Sequence, residues 1–198
     1  MSGTRFKHAG AVARLATALL VIGGARAADM EALEKKAALC AACHGAQGNS
    51  TNPAVPSLAG QPKQFITTQL VMFREANRKD PQMSPIAAGL ANADIDAFGT
   101  YFSAQAPKPA APAVDAGMLA ESRRLTQLYN CVQCHGPELK GQQHIPRLAG
   151  QQAAYLATQL RGFKASTRFD MDGNMTSAAQ ALPEKDIEAL ARYLAGLR

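Results

Sequence analysis

The stretches Cys40-Ala41-Ala42-Cys43-His44 and Cys131-Val132-Gln133-Cys134-His135 decide how this chain is organised. Both have the form Cys-x-x-Cys-His, with two thiols about one helical turn apart and a histidine directly after them. This is the attachment pattern of c-type haem, in which the thiols bind the vinyl groups and the histidine binds the iron. The two copies use all four cysteines of the protein. The sequence therefore predicts two covalently bound haem c groups, attached at Cys40, Cys43, Cys131 and Cys134, with proximal iron ligands His44 and His135.

Two other roles for the cysteines explain less of the pattern. A four-cysteine zinc site normally has about 15 to 20 residues between its two pairs, and the separation here is far larger. A pair of structural disulfides would leave the histidine after each pair without a role. Haem attachment explains the cysteines and the histidines together.

The first 27 residues have the pattern of a secretory signal peptide. Arg5 and Lys7 precede an apolar core from Leu15 to Ile22, and small residues around Ala27 suit cleavage after that position. The apolar core is shorter than the roughly 20 residues that a membrane-spanning helix needs. We therefore predict a periplasmic protein, which agrees with the attachment of c-type haem outside the bacterial cytoplasm. An uncleaved anchor, holding the protein at the membrane surface, is the alternative.

The strongly basic balance of the chain comes mainly from this leader. The whole sequence carries a net charge of +6, but residues 1–27 hold four basic residues and no acid. The remaining chain has 17 basic and 15 acidic residues and no basic run interleaved with aromatic residues. Such a composition excludes nucleic acid as an expected partner.

The remainder of the chain is an internal repeat with two copies of one sequence unit. Val55–Gln61 returns as Ile145–Gln151, and Phe65–Leu70 returns as Tyr155–Leu160. Two copies of a long unit indicate gene duplication rather than a solenoid. A stretch rich in proline and alanine separates the copies, which is typical of a semi-extended linker. We predict a domain over residues 28–104, a linker over 105–116 and a second domain over 117–198.

Each unit is predicted to consist of helices separated by loops rich in glycine and proline. Apolar residues recur at helical spacing, and no segment alternates like a half-buried strand. Asn92 is predicted to cap the third helix. The fold class is therefore all-α, with predicted helices over 30–41, 61–77, 92–103, 117–130 and 151–165 and a last helix that starts at Pro183.

The second axial ligand of each iron is predicted to be a methionine. One further histidine, His144, remains after the leader, so bis-histidine ligation is open to one haem at most. Met83 and Met175 both lie eleven residues before the acidic start of the last helix of their unit, in predicted loops that could turn a sulfur toward a metal. Met171 is the rival of Met175, but it has no counterpart in the first unit. His144 is expected at the surface, and packing roles are expected for Met30, Met72 and Met118.

Residues around the predicted ligands suggest how they are held. A metal-bound histidine usually donates its other ring N–H to a carbonyl, carboxylate or water. Pro56 and Pro146 follow their histidines by 12 and 11 residues and could each present such a carbonyl. Arg78 and Arg168 match across the repeat, and either pairing with haem propionates or exposure to solvent would suit them.

Histidine and methionine together close both axial positions of an iron and raise its reduction potential. Such an iron exchanges one electron with little change in geometry and offers no open position to a substrate. The predicted ligands therefore favour electron transfer over catalysis, with no small-molecule substrate.

The chain resembles the dihaem cytochromes of the cytochrome c4 family. The resemblance rests on the motif at Cys40 with Gly48-Asn49-Ser50 behind it, the twin Leu-Ala-Gly-Gln stretches and the paired methionines. It implies two tandem class I cytochrome c domains with haem-centred cores, related by pseudo-twofold symmetry. It also implies the axial pairs His44 with Met83 and His135 with Met175. The second unit departs from this pattern in one loop, where Pro137 to Gly141 replaces the Gly-Asn-Ser stretch.

By this resemblance, the partners are redox proteins, namely a respiratory donor complex and a terminal oxidase. The leading hypothesis is a periplasmic dihaem electron carrier, soluble or attached at the membrane periphery. An alternative is the electron-accepting dihaem subunit of a dehydrogenase, such as a flavocytochrome c sulfide dehydrogenase. A third hypothesis, a dihaem peroxidase or thiosulfate dehydrogenase, would need an open axial position, which the matched methionines argue against.

Overall fold

The computed structural model describes residue 31, residues 33–113 and residues 115–198. The chain divides into two compact units, residues 1–36 and residues 37–198. In the first unit the described residues, 31 and 33–36, are helical. The predicted signal peptide over residues 1–27 and Met30 lie outside the described residues.

The second unit begins with the half that carries the first Cys-x-x-Cys-His motif. Helical residues 37–44, here α1, contain the whole motif. Helix α2 packs against both α3 and α4. The elements of this half after α1 are a 3₁₀ turn Ala46–Gly48, α2 Lys63–Arg74, α3 Met83–Ala88 and α4 Asn92–Ser103.

The other half of this unit repeats the arrangement. Its motif forms a separate short helix, because Asn130 adopts a left-handed backbone conformation, with φ of 55°, directly before Cys131. The long helix that corresponds to α2 packs against the two helices that follow it, and the first helix packs against the last. The elements are α5 Ala116–Leu128, α6 Cys131–His135, α7 Ala153–Lys164, α8 Asn174–Gln180 and α9 Glu184–Gly196.

The all-α prediction is confirmed for the part of the chain that the structure describes. These residues contain no strand, and a single isolated bridge joins Gln142 to Ile145. No described helix is both long enough and apolar enough to span a membrane. The predicted helices over 61–77, 92–103 and 151–165 correspond to α2, α4 and α7.

The last helix of each half supplies the centre of its core. In α9, Ile187, Leu190 and Leu194 lie at i, i+3 and i+7 and are 0 to 4% exposed. Equivalent positions of α4 hold Ile95, Phe98 and Phe102, which are all buried. This spacing places three side chains on one helix face, and burying each one contributes about 1.5–3 kcal/mol. The same stripe therefore fixes the last helix in both halves.

The proline-rich segment between the halves is held by contacts on both sides. The Lys108 N–H donates to Asn49 Oδ1 at 2.7 Å, in the first half. The Ala110 N–H donates to the Gly150 carbonyl at 3.1 Å, in the second half. These hydrogen bonds attach the segment to both halves.

Two local expectations are wrong. Met83 and Met175 were expected in loops, but they are the first residue of α3 and the second residue of α8. Asn92 is the first residue of α4 rather than its cap, and its side-chain oxygen accepts a hydrogen bond from Arg74 instead. Both helices α3 and α8 are short and have little apolar periodicity, so the sequence pattern gives no signal for them.

Candidate haem-binding site

The two Cys-x-x-Cys-His motifs present equivalent sets of groups. In each motif the first cysteine is half-buried and the second is exposed, and no disulfide joins any of the four. The two-disulfide alternative is therefore excluded in this structure. The zinc alternative fails as well, because the described residues contain no cluster of three or more histidine, cysteine or acidic side chains.

The histidine of each motif is buried and oriented by a proline carbonyl. His44 Nδ1 lies 2.8 Å from the Pro56 carbonyl oxygen, and His135 Nδ1 lies 2.8 Å from that of Pro146. The carbonyl can only accept, so Nδ1 carries the proton and Nε2 keeps its lone pair. Burial lowers the pKa of both histidines, and the carbonyl hydrogen bond offsets only part of that effect. Each half thus presents a neutral imidazole with a free Nε2, the form that binds a metal.

The loops beneath these histidines have the same hydrogen bonds despite their different sequences. The Gly48 carbonyl accepts from the N–H groups of Leu58 and Ala59 at 2.7 and 3.1 Å. The Leu139 carbonyl accepts from Leu148 and Ala149 at 2.8 and 3.0 Å. Although Pro137 to Gly141 departs from the sequence of the first half, it keeps these two backbone hydrogen bonds. They hold the residues that follow Pro146, whose carbonyl orients His135.

The methionines differ in what their sulfur atoms contact. Gln69 Nε2 donates to the sulfur of Met72, which is buried in α2, at 3.7 Å. Within the described chain the sulfurs of Met83 and Met175 accept no hydrogen bond, so their lone pairs stay free for a metal. Met175 packs against the core of its half, whereas Met171 is 74% exposed. This contrast favours Met175 over Met171 as a ligand.

Two aspartates that the sequence analysis missed hold these methionines. Asp80 Oδ1 accepts from the Met83 N–H at 2.8 Å, and Asp170 Oδ2 accepts from the Met175 N–H at 2.8 Å. Burial alone would raise the pKa of Asp170, but the hydrogen bonds from the Met175 N–H and from Thr176 outweigh it and lower that pKa. The ionised carboxylate of Asp170 is favoured at the start of α8. The sequence feature that could have identified this role is an aspartate a few residues before each methionine.

Other candidates from the sequence lie away from these groups. His144 is exposed, and its Nε2 lies 3.9 Å from Asp172 Oδ2. Met118 is half-buried near the start of α5.

The two halves are joined by a reciprocal pair of glutamines. Gln61 Nε2 donates to the Arg147 carbonyl at 2.9 Å, and the Arg147 N–H donates back to Gln61 Oε1 at 2.9 Å. Gln151, at the equivalent repeat position, forms the same two bonds with Ser57, which is the equivalent of Arg147. Ser57 and Arg147 directly follow the prolines that orient the histidines. The interface therefore repeats a single contact about a pseudo-twofold axis.

The residues of each half fit a covalently bound haem. Two thiols could form the thioethers, an oriented imidazole could bind the iron on one side, and a thioether sulfur is available for the other. When bound, haem c supplies reversible one-electron oxidation and reduction. The fold and the paired motifs thus define a dihaem c-type cytochrome.

Comparisons with known proteins agree with this class. The cytochrome c family profile matches twice, over residues 33–105 and 120–198. Cytochrome c4 of Pseudomonas aeruginosa is 34% identical, over 86% of this chain and 90% of its own length. The thiosulfate dehydrogenase electron acceptor of Thiomonas intermedia is 36% identical, over 85% of this chain and 82% of its own. The crystal structure of reduced recombinant cytochrome c4 from Pseudomonas stutzeri aligns with a TM-score of 0.77, at 33% identity, covering 85% of this chain and 98% of that one.

The chain belongs to the cytochrome c4 family of dihaem cytochromes c. It carries two covalently attached haem c groups, bound at the motifs of Cys40 with Cys43 and Cys131 with Cys134. It is an electron carrier and not an enzyme, as the sequence analysis predicted.

Proposed function

We propose that this cytochrome moves single electrons between respiratory partners in the periplasm and delivers them to a terminal oxidase. Its axial ligands are His44 with Met83 and His135 with Met175. The observation that carries this proposal is the likeness of the two sites: both have a neutral, carbonyl-oriented histidine and a methionine with a free sulfur.

The proposed ligands explain why the protein carries electrons. A six-coordinate iron needs little rearrangement when its charge changes, and it has no open position for a substrate. Two equivalent sites joined by a fixed interface suit transfer of an electron from one haem to the other. The proposed domains are residues 28–104 and 117–198, with residues 105–116 as the linker.

The periplasmic part of the proposal rests on the first 27 residues. Their charge and apolar pattern suit export and cleavage after Ala27. The mass of the protein purified from the periplasm tests this directly, since cleavage leaves Ala28 as the first residue. A periplasmic protein that retains residues 1–27 would support the anchored alternative.

A kinetic experiment tests the acceptor. Reduced cytochrome is mixed with membranes that contain a terminal oxidase, and oxidation of its haems is followed optically with and without cyanide. Rapid oxidation that cyanide blocks is expected. Absence of oxidation by oxidase-containing membranes would contradict the proposed acceptor.

A second candidate is favoured by one specific comparison. The relative from Thiomonas intermedia is named as an electron acceptor of thiosulfate dehydrogenase. If this chain has that role, a purified thiosulfate dehydrogenase supplied with thiosulfate would reduce it. A sulfide-oxidising flavoprotein would reduce it under the dehydrogenase-subunit alternative from the sequence. Reduction by either enzyme would identify the electron donor. The electron acceptor is then tested by the experiment with oxidase-containing membranes.

A further inference from the structure

The peptide group that orients each motif histidine is also held by the opposite half of the molecule. The Pro56 carbonyl and the Ser57 N–H belong to one planar peptide group. Its carbonyl oxygen lies 2.8 Å from His44 Nδ1, and its N–H donates to Gln151 Oε1 at 2.7 Å. A single peptide group therefore connects a histidine of the first half to a glutamine of the second.

The second half repeats this arrangement with the roles of the halves exchanged. The Pro146 carbonyl oxygen lies 2.8 Å from His135 Nδ1, and the Arg147 N–H of the same peptide group donates to Gln61 Oε1 at 2.9 Å. Gln61 belongs to the first half. The residue after the proline is serine in one copy and arginine in the other, so the connection depends on the backbone and the glutamine rather than on that side chain.

Both glutamines hold their peptide group at two points. Gln61 and Gln151 are 4 and 5% exposed, so their amide groups need partners inside the protein. Besides accepting from the N–H, Gln61 Nε2 donates to the Arg147 carbonyl at 2.9 Å, and Gln151 Nε2 donates to the Ser57 carbonyl at 2.8 Å. Two bonds to one residue fix the amide plane of the glutamine. The opposite half therefore determines where each peptide group lies.

A hydrogen bond at one end of a peptide group strengthens the hydrogen bond at its other end. When the N–H donates, electron density shifts toward the carbonyl oxygen, which becomes a better acceptor. Gln151 therefore strengthens the hydrogen bond from His44 Nδ1–H to the Pro56 carbonyl. Such a bond makes the imidazole more basic at Nε2. A more basic axial ligand stabilises the oxidised iron and lowers its reduction potential, since hydrogen bonds to the ligands tune a haem.

We propose that Gln151 and Gln61 are positioning residues that act across the interface, each lowering the reduction potential of the haem in the opposite half. Gln151 acts on the haem held by His44, and Gln61 acts on the haem held by His135. Each glutamine acts through one peptide group and does not touch the histidine. This inference rests on the proposed function, because it takes both histidines as iron ligands of an electron carrier. The difference between the two potentials is then controlled at the interface.

The two contacts differ in their access to water. The bonds between Gln151 and Ser57 are buried, whereas those between Gln61 and Arg147 are only partly buried. Water can replace a lost acceptor at a partly buried N–H more readily than at a buried one. Loss of Gln151 should therefore affect the haem in the first half more than loss of Gln61 affects the haem in the second.

The test compares Gln151→Leu and Gln61→Leu in the holoprotein by ¹⁵N-resolved NMR of the reduced form and by potentiometric titration. Leucine keeps most of the side-chain volume and removes the amide. In Gln151→Leu we expect the His44 Nδ1–H signal to move upfield, the His135 signal to stay and one midpoint potential to rise. In Gln61→Leu we expect the His135 signal to move instead, by less, and the other potential to rise. Gln61→Leu keeps the test decisive if Gln151→Leu folds poorly.

Gln152→Leu is the matched control. Gln152 is buried beside Gln151, and its Nε2 donates across the interface to the Ser50 carbonyl, not to the peptide group after Pro56. Its backbone N–H, which donates to Gln151 Oε1, is retained in the leucine variant. A general loosening of the interface would appear in Gln152→Leu as well. The proposed effect leaves both Nδ1–H signals of this control at their wild-type positions.

The outcomes separate this inference from the proposed function. A shift of the His135 signal instead of the His44 signal in Gln151→Leu, or an equal shift in Gln152→Leu, would overturn the action across the interface. Unchanged potentials in both Gln151→Leu and Gln61→Leu, with the wild-type absorption spectrum, would also overturn it and leave the His/Met carrier intact. A wild-type protein whose spectrum lacks His/Met ligation would instead contradict the proposed function.

Discussion

Gln151 of the second half holds the backbone of Ser57 in the first half at both of its polar groups. The Ser57 N–H donates to Gln151 Oε1 at 2.7 Å, and Gln151 Nε2 donates to the Ser57 carbonyl at 2.8 Å. All of these groups are buried. Because Ser57 directly follows Pro56, this contact connects the interface to the carbonyl that orients His44.

Replacing Gln151 with alanine should destabilise the protein by about 2–3 kcal/mol, because two buried backbone groups of Ser57 lose their partners. Denaturant unfolding of the holoprotein measures this loss. Gln180→Ala is the matched control, since Gln180 is exposed and bonds only within its own half. A loss at Gln151 no larger than that at Gln180 would show that the glutamine contact does not stabilise the interface.

Replacing Cys131 and Cys134 together with alanine should remove one covalent haem and leave the other. The expected haem-to-protein ratio falls from two to one, as determined by haem absorbance and by the mass of the intact chain. The corresponding double variant at Cys40 and Cys43 should give the same ratio. Two haems retained covalently in either variant would contradict the assignment of the motifs.

The methionine assignment makes a paired prediction. Met175→Leu should abolish His/Met ligation at one haem, whereas Met171→Leu should leave the absorption spectrum unchanged because Met171 is exposed. In the first half, Met83→Leu should likewise abolish His/Met ligation at one haem. Met72→Leu should leave the absorption spectrum unchanged. The measurement is the optical spectrum of the oxidised protein. Loss of ligation in Met171→Leu, with Met175→Leu normal, would reverse the assignment.

Asp170→Ala should weaken the attachment of Met175 without removing it. The carboxylate satisfies the N–H groups of Met175 and Thr176 at the start of α8, and loss of such a cap costs about 1 kcal/mol. That change corresponds to roughly a fivefold shift toward the detached methionine. Carbon monoxide binding to the reduced protein should rise, while Asp172→Ala, which loses contacts to Asn174 and His144 but none to Met175, should match the wild type. No rise in Asp170→Ala would argue against a positioning role.

The hydrogen bond between Tyr129, which directly follows α5, and Asp186 of α9 should be lost at alkaline pH. The Tyr129 hydroxyl donates to Asp186 Oδ2 at 2.6 Å, and this hydrogen bond raises the pKa of Tyr129 above its ordinary value of 10.0. A group with a raised folded-state pKa adds stability below its unfolded pKa and loses it as the pH rises through the folded pKa. The advantage of the wild type over Tyr129→Phe in denaturant unfolding should therefore be present at pH 8 and disappear above pH 10. An advantage that persists at high pH would contradict this interpretation.

The sequence was sufficient for the features that depend on short spacings. The two motifs place their cysteines and histidine within five residues, and the proline carbonyls lie 12 and 11 residues beyond. The apolar stripes of α4 and α9 follow helical periodicity. These local patterns predicted the all-α class, the attachment sites and the orientation of both histidines.

The polar contacts between the halves could not be predicted in this way. Gln61 and Gln151 reach partners 86 and 94 residues away, and an isolated glutamine in a repeat has no pattern that distinguishes an interface from a surface. The sequence pattern around Arg78 and Arg168 was compatible with an exposed side chain as well as with a buried one. The aspartates before Met83 and Met175 were missed because α3 and α8 are too short to show a periodic pattern.

The most direct test of the account is an optical redox titration of the purified holoprotein, combined with carbon monoxide addition to its reduced form. The account predicts two low-spin haems, both at positive potential, and neither binding carbon monoxide readily, because histidine and methionine close every axial position. A high-spin haem, a strongly negative potential or ready binding of carbon monoxide at either haem would contradict the assignment of Met83 and Met175 as firm ligands.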